Sequence, residues 1–369
     1  MCLTNLTRNA KNQTNICIVI TFFILMIYVV KMRNMHKVSK CPSFETMVSK
    51  ETNMEDKCLV DYVRTTRLSY PSTLPYNLST SIDRTNLVSI APDAFQSFLH
   101  DKDAPWVDAL IAVEIFVPKK GQRHFLECGA LDGVIFSTTL HLERFLEWTG
   151  ILIEADDRFY RDLKNTNRKA YGVHVCASRT PHPSMAIFKP SPIYYKMMKD
   201  GEKFTNVNPG TGYVLNEIIG DRNESKEHLV EIQCVPIYTA LLAAQMSRID
   251  LFVLDIEGVE IDVLKTIPFE KVDIAVFMIE VYGKPKLEIR RIHDFLNSKG
   301  YVFYGRFEGG LHPGDEIYIK SQYYTGKEDK VKIQNLNARD TYNIIIGKND
   351  EEIKKEELEA FDQITNTSS

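Results

Sequence analysis

The sequence predicts an α/β domain with a mostly parallel, doubly wound sheet, which follows one N-terminal transmembrane helix. Short apolar strands alternate with amphipathic helices from His124 almost to the C-terminus, and such alternation requires mostly parallel pairing. An uncharged apolar run near the N-terminus predicts the membrane helix. The expected divisions are a short tail over 1–15, a transmembrane signal-anchor over 16–32, a stem or linker over 33–86, the α/β domain over 87–325 and a charged tail over 326–369.

The apolar run over residues 16–30 contains no charged residue, and Thr21 is its polar interruption. At about 1.5 Å per residue, a helix of this length covers about 22 Å, which suits the thinner membranes of the early secretory pathway. Residues 31–35 lack the small side chains that a signal-peptide cleavage site requires. We therefore expect an uncleaved signal-anchor.

The sequence leaves the orientation of this helix open. Two basic residues precede the run and four follow it within residues 31–40, which favours a cytosolic domain by the positive-inside rule. The glycosylation triplets at Asn77, Asn223 and Asn366 could accept glycan in a lumen, but three triplets are close to chance in a chain of this length.

The composition is that of a globular protein, with 44% hydrophobic and 25% charged residues in a chain of 369. The formal net charge is −4, whereas nucleic acids usually bind basic surfaces, so we expect no nucleic-acid partner. The seven cysteines form no CxxC pair and no Cys/His cluster with zinc-ligand spacing, so we expect no metal site.

The cysteines fall into two groups. Cys128, Cys176 and Cys234 lie in runs typical of buried strands, where a free cysteine behaves as a small hydrophobe. Cys41 and Cys58 flank a polar segment and could form a disulfide in an oxidising lumen, although two unrelated thiols explain the pattern equally well.

Residues 31–86 are polar and show no sustained apolar period, which predicts a stem that few contacts cross. Apolar residues at helical spacing over 91–117 predict one or two helices before the sheet. The strand and helix alternation then follows, broken by an irregular stretch rich in Pro, Tyr and Gly over 181–220.

Acidic residues stand at the ends of several predicted strands, where open α/β sheets bind their ligands. Glu127 comes near the end of the first strand and is followed by Gly129, but the loop lacks the glycine spacing of a dinucleotide-binding motif. Glu154 ends the next strand, at the position where an acid accepts hydrogen bonds from ribose hydroxyls. Asp255 and Glu280 end two later strands, and pairing with a nearby base would explain Glu280 equally well.

These motifs together resemble the FkbM methyltransferase family. The resemblance covers about residues 120–320 and is carried by ECGALDGVIFSTTLHLE, WTGILIEAD and DLFVLDIEGVEIDVLKTIPF. With the N-terminal anchor, the chain also resembles the animal Star-like group. The sequence departs from the bacterial pattern at Cys128 and Leu131, and both residues are tolerable by volume.

The resemblance implies a Rossmann-like class I methyltransferase fold that binds S-adenosyl-L-methionine without a metal. It places Asp255 near the donor methyl group or the amino-acid end of the cofactor, and we expect Asp255 and Glu280 to be the catalytic carboxylates. No histidine lies in a motif that marks it as the base. The implied cofactor-binding residues are Glu127, Gly129 and Asp132 near the methionine and ribose, Glu154 on the ribose hydroxyls, Asp156 and Ser178 towards the adenine, and Asp255.

Two functions of different classes follow from the resemblance. The first is a membrane-anchored O-methyltransferase of the endoplasmic reticulum, Golgi or endosomal system, with a luminal domain and a glycan or lipid as acceptor. The second is a non-enzymatic trafficking factor that binds membrane cargo proteins through the same scaffold. A glycosyltransferase is a weaker alternative, since the Asp255-Ile256-Glu257-Gly258 run is not the DxD motif of that class.

Overall fold

The structure is a computed structural model that describes residues 41–78, 113, 117–118, 121–134, 137–190, 213–214, 229–281, 283–306 and 315–324. The chain divides into one unit of Met1–Thr46 and a second of Met47–Ser369, and the fold below is that of the second unit. The predicted signal-anchor over 16–32 and the charged tail over 326–369 lie outside the described residues. None of the helices in the described ranges is long and apolar enough to cross a membrane.

An eight-stranded sheet forms the centre of the second unit, in the order β1-β4-β3-β2-β9-β10-β12-β11. Its strands are β1 (Leu68–Ser69), β2 (His124–Cys128), β3 (Thr149–Glu154), β4 (Tyr171–His174), β9 (Arg248–Leu254), β10 (Asp273–Glu280), β11 (Tyr301–Arg306) and β12 (Asp315–Lys320). In this sheet the five strands β4, β3, β2, β9 and β10 are parallel, while β12 is antiparallel to both of its neighbours. This confirms the predicted α/β fold with a mostly parallel sheet.

A four-stranded second sheet has the order β5-β8-β6-β7. Its strands are β5 (Cys176–Ala177), β6 (Ser184–Lys189), β7 (Tyr213–Val214) and β8 (Val230–Val235). The helices are α1 (Phe44–Ser49), α2 (Lys57–Tyr62), a π-helix (Val63–Arg67), α3 (Leu140–Leu146), α4 (Asp157–Asn165), α5 (Ile237–Ala244), α6 (Glu260–Thr266) and α7 (Lys286–Ser298).

The central strands form because their side chains are apolar on both faces. Six consecutive residues of β9, from Ile249 to Leu254, are buried, as are six of β10. Near-continuous apolar strands are typical of parallel sheets that are covered on both faces. The core of the unit therefore lies along β2, β9 and β10, next to the strands whose ends carry the predicted site.

The strand order reverses between β2 and β9, because β2 continues to β3 on one side and β9 to β10 on the other. Such a reversal leaves a crevice outside the carboxyl ends of the two strands, where ligands bind in open α/β sheets. The acids that end β3, β9 and β10 are therefore carried to one edge of the sheet.

The prediction that few contacts cross residues 33–86 is wrong for the part over 47–77. Leu59 and Val63 are fully buried. The Tyr62 hydroxyl donates to Gln233 Oε1 at 2.7 Å, and Arg64 Nε donates to the Ala243 carbonyl at 3.1 Å. The helices here have six residues or fewer, which is too short for an apolar period to be visible in the sequence.

The prediction that Cys176 and Cys234 are free thiols is also wrong. They form a disulfide with a Cα–Cα distance of 4.3 Å, because β5 and β8 pair in the register that places them side by side. Cys128 is free and buried, as expected. Cys41 and Cys58 are each disulfide-bonded, and their pairing with each other stays a prediction.

Candidate active site

A narrow cleft with a cavity volume of about 70 Å³ opens at the carboxyl ends of β2, β3 and β9. Its polar lining includes Glu154, Asp156, Asp255 and Glu257, and its apolar lining includes Leu131, Ile153, Phe159, Val175 and Phe188. The tertiary structure thus brings the predicted acids of β3 and β9 to one cavity.

Gly129 allows the tips of β2 and β9 to meet. Its φ is +93°, and a Cβ atom at this position would lie 1.8 Å from the carbonyl oxygen of Asp255. The Asp255 amide donates to the Cys128 carbonyl at 3.0 Å, which fixes this close approach. Only glycine combines that backbone conformation with that proximity. Gly129 lines the cleft, as the sequence predicts for a cofactor-binding residue.

Glu154 lines the cleft and is almost completely buried. Its Oε1 accepts the Asp156 amide at 2.7 Å and its Oε2 accepts the Leu131 amide at 2.8 Å. Burial raises the pKa of Glu154 to about 7. Each carboxylate oxygen has a second lone pair that a ligand hydroxyl could use, and the ribose contact stays a prediction.

Asp156 lines the same cleft and is the N-cap residue of α4. Its Oδ1 accepts the Arg158 amide at 2.9 Å, and its Oδ2 forms an ion pair with the Arg158 guanidinium at 2.5 Å. The side chain is therefore held by its own helix, next to the space that the sequence assigns to the adenine.

Glu127, Asp132 and Ser178 are not among the residues that line the cleft. Asp132 accepts the Val134 amide at 2.9 Å within its own loop, and the Ser178 hydroxyl donates to the His182 carbonyl at 2.7 Å. Their hydrogen-bonding groups shape the loops after β2 and β5, and direct contact with a cofactor stays a prediction for all three residues.

Glu127 belongs to a buried charge cluster, the Arg168 network, whose other members are Ser137, Thr139, Glu143 and Arg168. Glu127 accepts the Ser137 hydroxyl at 2.9 Å and the Thr139 hydroxyl at 2.5 Å. The Arg168 guanidinium donates to Glu143 at 2.9 Å, Ser137 at 3.0 Å and Thr139 at 3.1 Å. Burial raises the pKa of Glu127, and the guanidinium charge opposes that effect.

A second group of acids, the acidic triad, shares two residues with the lining of the cleft. It consists of Asp255, Glu257 and Glu280, and one carboxylate oxygen of each lies within 4.8 Å of the other two. Burial, followed by the charges of Glu280 and Glu257, raises the pKa of Asp255. Burial and the charge of Glu280 raise the pKa of Glu257 to about 7. Asp255 and Glu280 are thus brought together as the sequence predicts.

Two residues near the triad were not assigned a role from the sequence. Lys284 lies 3.3 Å from Glu280 and 3.2 Å from Glu260, so Glu280 has the basic partner that the sequence left as an alternative. Asp315 pairs with Glu280 across β10 and β12, and burial raises its pKa to about 7. Asp315 carries no sequence signal, because it begins a strand and only the antiparallel pairing brings it to this edge.

Two loops of the cleft hold residues other than glycine in the left-handed region. Leu131 has a φ of 48° and Glu257 a φ of 60°, and both line the cleft. Such backbone costs about 1–3 kcal/mol per residue and is concentrated at functional sites. The loops after β2 and β9 therefore hold their shape against local strain.

Residues 127–303 match the model of the methyltransferase FkbM domain. The matched segment begins at Glu127 and contains the whole described cleft and the triad. This match supports an FkbM methyltransferase domain in the chain, as the sequence resemblance implied. A search of curated proteins found no match.

Three solved structures show a distant likeness. The FkbM methyltransferase of Methylobacillus flagellatus KT is 13% identical, with a TM-score of 0.33 over 63% of this chain and 59% of that protein. A methyltransferase of Pyrococcus furiosus is 12% identical, with a TM-score of 0.32 over 64% of this chain and 97% of that one. The human methyltransferase 10 domain containing protein is 12% identical, with a TM-score of 0.31 over 72% and 94%. Likeness at this level assigns no function to the cleft.

Proposed function

We propose that the cleft binds S-adenosylmethionine and that the domain transfers a methyl group to an oxygen of its acceptor. The observation that carries the proposal is the presence of Glu154 and Asp255 on one cleft, with Gly129 between them. These residues come from the tips of three adjacent strands at the reversal of strand order, inside the segment that matches the FkbM domain.

The side chains of the cleft suit this cofactor chemically. Glu154 has lone pairs free for the ribose hydroxyls, and the carboxylates of Asp255 and Glu257 favour a positively charged sulfonium. Phe159 and Phe188 supply apolar surface on the side of Asp156, which suits the adenine ring. The cofactor has no phosphate, so the site needs no basic cradle.

When bound, the cofactor supplies an electrophilic methyl group, and the residues of this chain provide position and proton transfer. Asp255 and Glu280 are the carboxylates placed to accept the proton of an acceptor hydroxyl. Burial, followed by the charges of Glu280 and Glu257, raises the pKa of Asp255, which makes it a stronger base than an exposed aspartate. Val175 and Phe188 add apolar surface to the lining of the cleft.

We also propose that residues 16–32 anchor the protein in a membrane of the secretory pathway, with the domain in the lumen. The Cys176–Cys234 disulfide supports this location, because disulfides persist in oxidising compartments. Asn77 is exposed in its glycosylation triplet, which is compatible with modification there. A glycan or a lipid is the acceptor that such a location offers.

Calorimetric titration of the full chain in detergent micelles with S-adenosylmethionine and S-adenosylhomocysteine tests the cofactor. We expect saturable binding that weakens by about tenfold or more in Glu154→Ala, since a buried hydrogen-bonding carboxylate is lost. Asp294→Asn is the control, because it removes an exposed charge on α7 outside the cleft. A folded wild-type protein that binds neither compound would leave the non-enzymatic trafficking scaffold as the better hypothesis.

Glycosidase treatment of the protein expressed in animal cells tests the location. We expect a loss of mass that is reduced in Asn77→Gln. A protein that carries no glycan at Asn77, Asn223 or Asn366 would remove the glycosylation argument for a luminal domain.

A further inference from the structure

A second cavity, the side cavity, adjoins the cleft and has a volume of about 550 Å³. It shares Ala155, Asp156 and Val175 with the lining of the cleft. The rest of its lining comes mainly from the end of the π-helix, the start of α4, the end of β4 and the strands β6 and β8. Small-molecule sites typically have volumes of about 300–1,000 Å³, and the proposed methyl transfer gives this cavity no role.

Arg67 ends the π-helix and brings a positive charge to the side cavity. Its Nε and Nη2 donate to Gln233 Oε1 at 3.1 and 2.7 Å, and the Tyr62 hydroxyl donates to the same oxygen at 2.7 Å. Among the described residues, no carboxylate forms a salt bridge with Arg67. Neutral groups therefore orient the guanidinium, and its charge is not neutralised by the protein around it.

Gln233 adds a second donor to the same part of the lining. The donors around Oε1 identify that atom as the oxygen, so the other end of the side chain is the amide nitrogen. Neither this nitrogen nor Arg67 Nη1 has a hydrogen-bond partner within the described ranges. A planar guanidinium beside an amide suits the oxygens of a carboxylate or a phosphate.

The charges that α4 contributes to the lining are paired within the protein. The Arg158 guanidinium forms an ion pair with Asp156 at 2.5 Å, and Asp157 lies 3.3 Å from Arg161. These pairs leave little net charge at the start of α4, so Arg67 determines the sign of the charge offered to a ligand from this side.

Two further polar residues line the side cavity, His174 and Glu231. Burial lowers the pKa of His174, so its imidazole is neutral at neutral pH even though Asp157 lies 4.0 Å away. Glu231 is exposed on β8 and forms no salt bridge in the part of the chain that the structure describes. Water screens an exposed charge more than a half-buried one, so the positive charge of Arg67 outweighs that of Glu231 inside the cavity.

The remaining lining is apolar and consists of Ala155, Val175, Met185, Pro190, Val230 and Ile232. Val230 is 43% exposed, which is unusual for a valine in a strand. A ligand with a carbon skeleton would remove this apolar surface from water. The cavity thus offers anion donors, a hydroxyl acceptor and an apolar wall.

We propose that the side cavity binds a small hydroxylated organic anion, whose carboxylate or phosphate oxygens accept hydrogen bonds from Arg67 and Gln233. Its hydroxyl groups bond to Glu231 and to the neutral imidazole of His174, and its carbon skeleton covers Val230. Uronic acids and polyol phosphates have this combination of groups. The site goes beyond the proposed function, because it uses no residue assigned to the cofactor.

Calorimetric titration of the full chain in detergent micelles with glucuronate and with glycerol phosphate tests the site, and glucose and glycerol are the uncharged controls. We expect saturable binding of at least one of the two acids and of neither control, and the acid that binds identifies the anionic group. Arg67→Gln should reduce its affinity by about tenfold or more, because charge-assisted hydrogen bonds are lost. Arg290→Gln removes the same charge from an exposed position on α7 and should leave the affinity unchanged.

Gln233→Glu keeps the test valid if Arg67→Gln does not fold. The new carboxylate has nearly the same shape and still accepts the bonds from Tyr62 and Arg67, so we expect a folded protein by circular dichroism. It gives the guanidinium an internal ion pair and removes the amide donor, so the affinity for the acid should again fall by about tenfold or more. A folded Gln233→Glu protein that binds the acid as tightly as the wild type would overturn the proposal.

Titration of the same preparations with S-adenosylhomocysteine separates this inference from the proposed function. If an acid binds and S-adenosylhomocysteine does not, the side cavity stands and the methyltransferase proposal falls. If neither acid binds, or glucose binds as tightly as glucuronate, the side cavity proposal falls, whatever the result with the cofactor.

Discussion

The Arg168 network contains buried carboxylates and the acidic triad contains partly buried ones, and the charges of the two groups are compensated differently. In the network, a guanidinium contacts Glu143, Ser137 and Thr139, and the two hydroxyls also donate to Glu127. In the triad, Glu280 contacts Lys284, and that ammonium group is shared with Glu260. Buried ionised groups are costly unless they are paired and hydrogen-bonded.

This difference assigns a structural role to the Arg168 network and leaves the acidic triad available for a ligand. The network holds the loop after β2 against the sheet, with its hydrogen-bonding capacity used within the protein. The triad keeps carboxylate oxygens available at the cleft and raises the pKa of Asp255. A site that keeps unbalanced charge for a ligand lowers the stability of the free protein, so substitutions in the two groups should change stability in opposite directions.

The largest effect is expected for Arg168→Met, which leaves Glu127 and Glu143 without their cation. Breaking a buried pair from one side costs about 3–5 kcal/mol, because the other charge stays buried. Urea unfolding of the full chain measures this loss. Arg161→Met is the control, since its side chain is exposed on α4. A loss below about 1 kcal/mol in Arg168→Met would contradict the structural role of the network.

The next effect is expected for Gly129→Ala. The new Cβ would meet the Asp255 carbonyl at 1.8 Å, so the tips of β2 and β9 must separate. We expect about 3 kcal/mol of destabilisation from the clash and the positive φ together, with weaker binding of S-adenosylhomocysteine.

Gly121→Ala provides the matched control for this substitution. Gly121 also has a positive φ, of +72°, but a Cβ there meets nothing within 4 Å. It should therefore cost only about 1 kcal/mol. Equal losses for the two variants would show that backbone conformation, rather than the contact between the strands, explains the glycine.

A smaller effect is expected from the titration of Glu154, which has two backbone amides but no cation. Its pKa is raised from 4.5 to about 7 in the folded protein, so the folded state binds the proton more tightly than the unfolded state. The free energy of unfolding should therefore fall as the pH rises from 4.5 through 7, by less than about 3 kcal/mol from this residue.

Urea midpoints at about pH 5 and about pH 8 for the wild type and Glu154→Gln measure this contribution. The decrease between the two conditions should be smaller in the variant, since glutamine does not titrate. The same decrease in both proteins would assign the pH dependence to other acids.

The smallest change in stability is expected for Asp255→Asn, and its sign is the critical result. Removing one charge from the triad relieves repulsion, so we expect a gain of about 1 kcal/mol or no change. Affinity for S-adenosylmethionine should nevertheless fall by about tenfold or more. Glu127→Gln should instead lose about 1–3 kcal/mol, because it disturbs a satisfied network. Equal losses in both variants would remove the distinction between the two groups.

The sequence predicted the α/β class and the positions of the strand-end acids correctly, because both depend on local patterns. Parallel strands buried on both faces are continuous apolar runs, and a residue at the end of such a run lies at the edge of the sheet. Glu154 and Asp255 were found on that basis, and the structure places both on the cleft.

Other features were wrong or absent in the sequence-based prediction, because they depend on distant contacts. Cys176 and Cys234 are separated by 58 residues and meet only through the pairing of β5 with β8. The segment over 47–77 was taken for a stem, since helices of six residues show no period. The bonds that Glu127 accepts within the Arg168 network were also absent from the sequence-based prediction, while its contact with a cofactor stays a prediction.

What the sequence determined by itself is the type of each element and the acid at its end. Only the tertiary structure decided which acids are neutralised and which face the cleft. Glu127 and Asp255 both follow apolar strand residues in the sequence. Arg168 compensates the first group, whereas Glu257, Glu280 and Asp315 surround the second with like charge. Electrostatic energy depends on distance in space, so the function of a carboxylate is fixed by its folded neighbours.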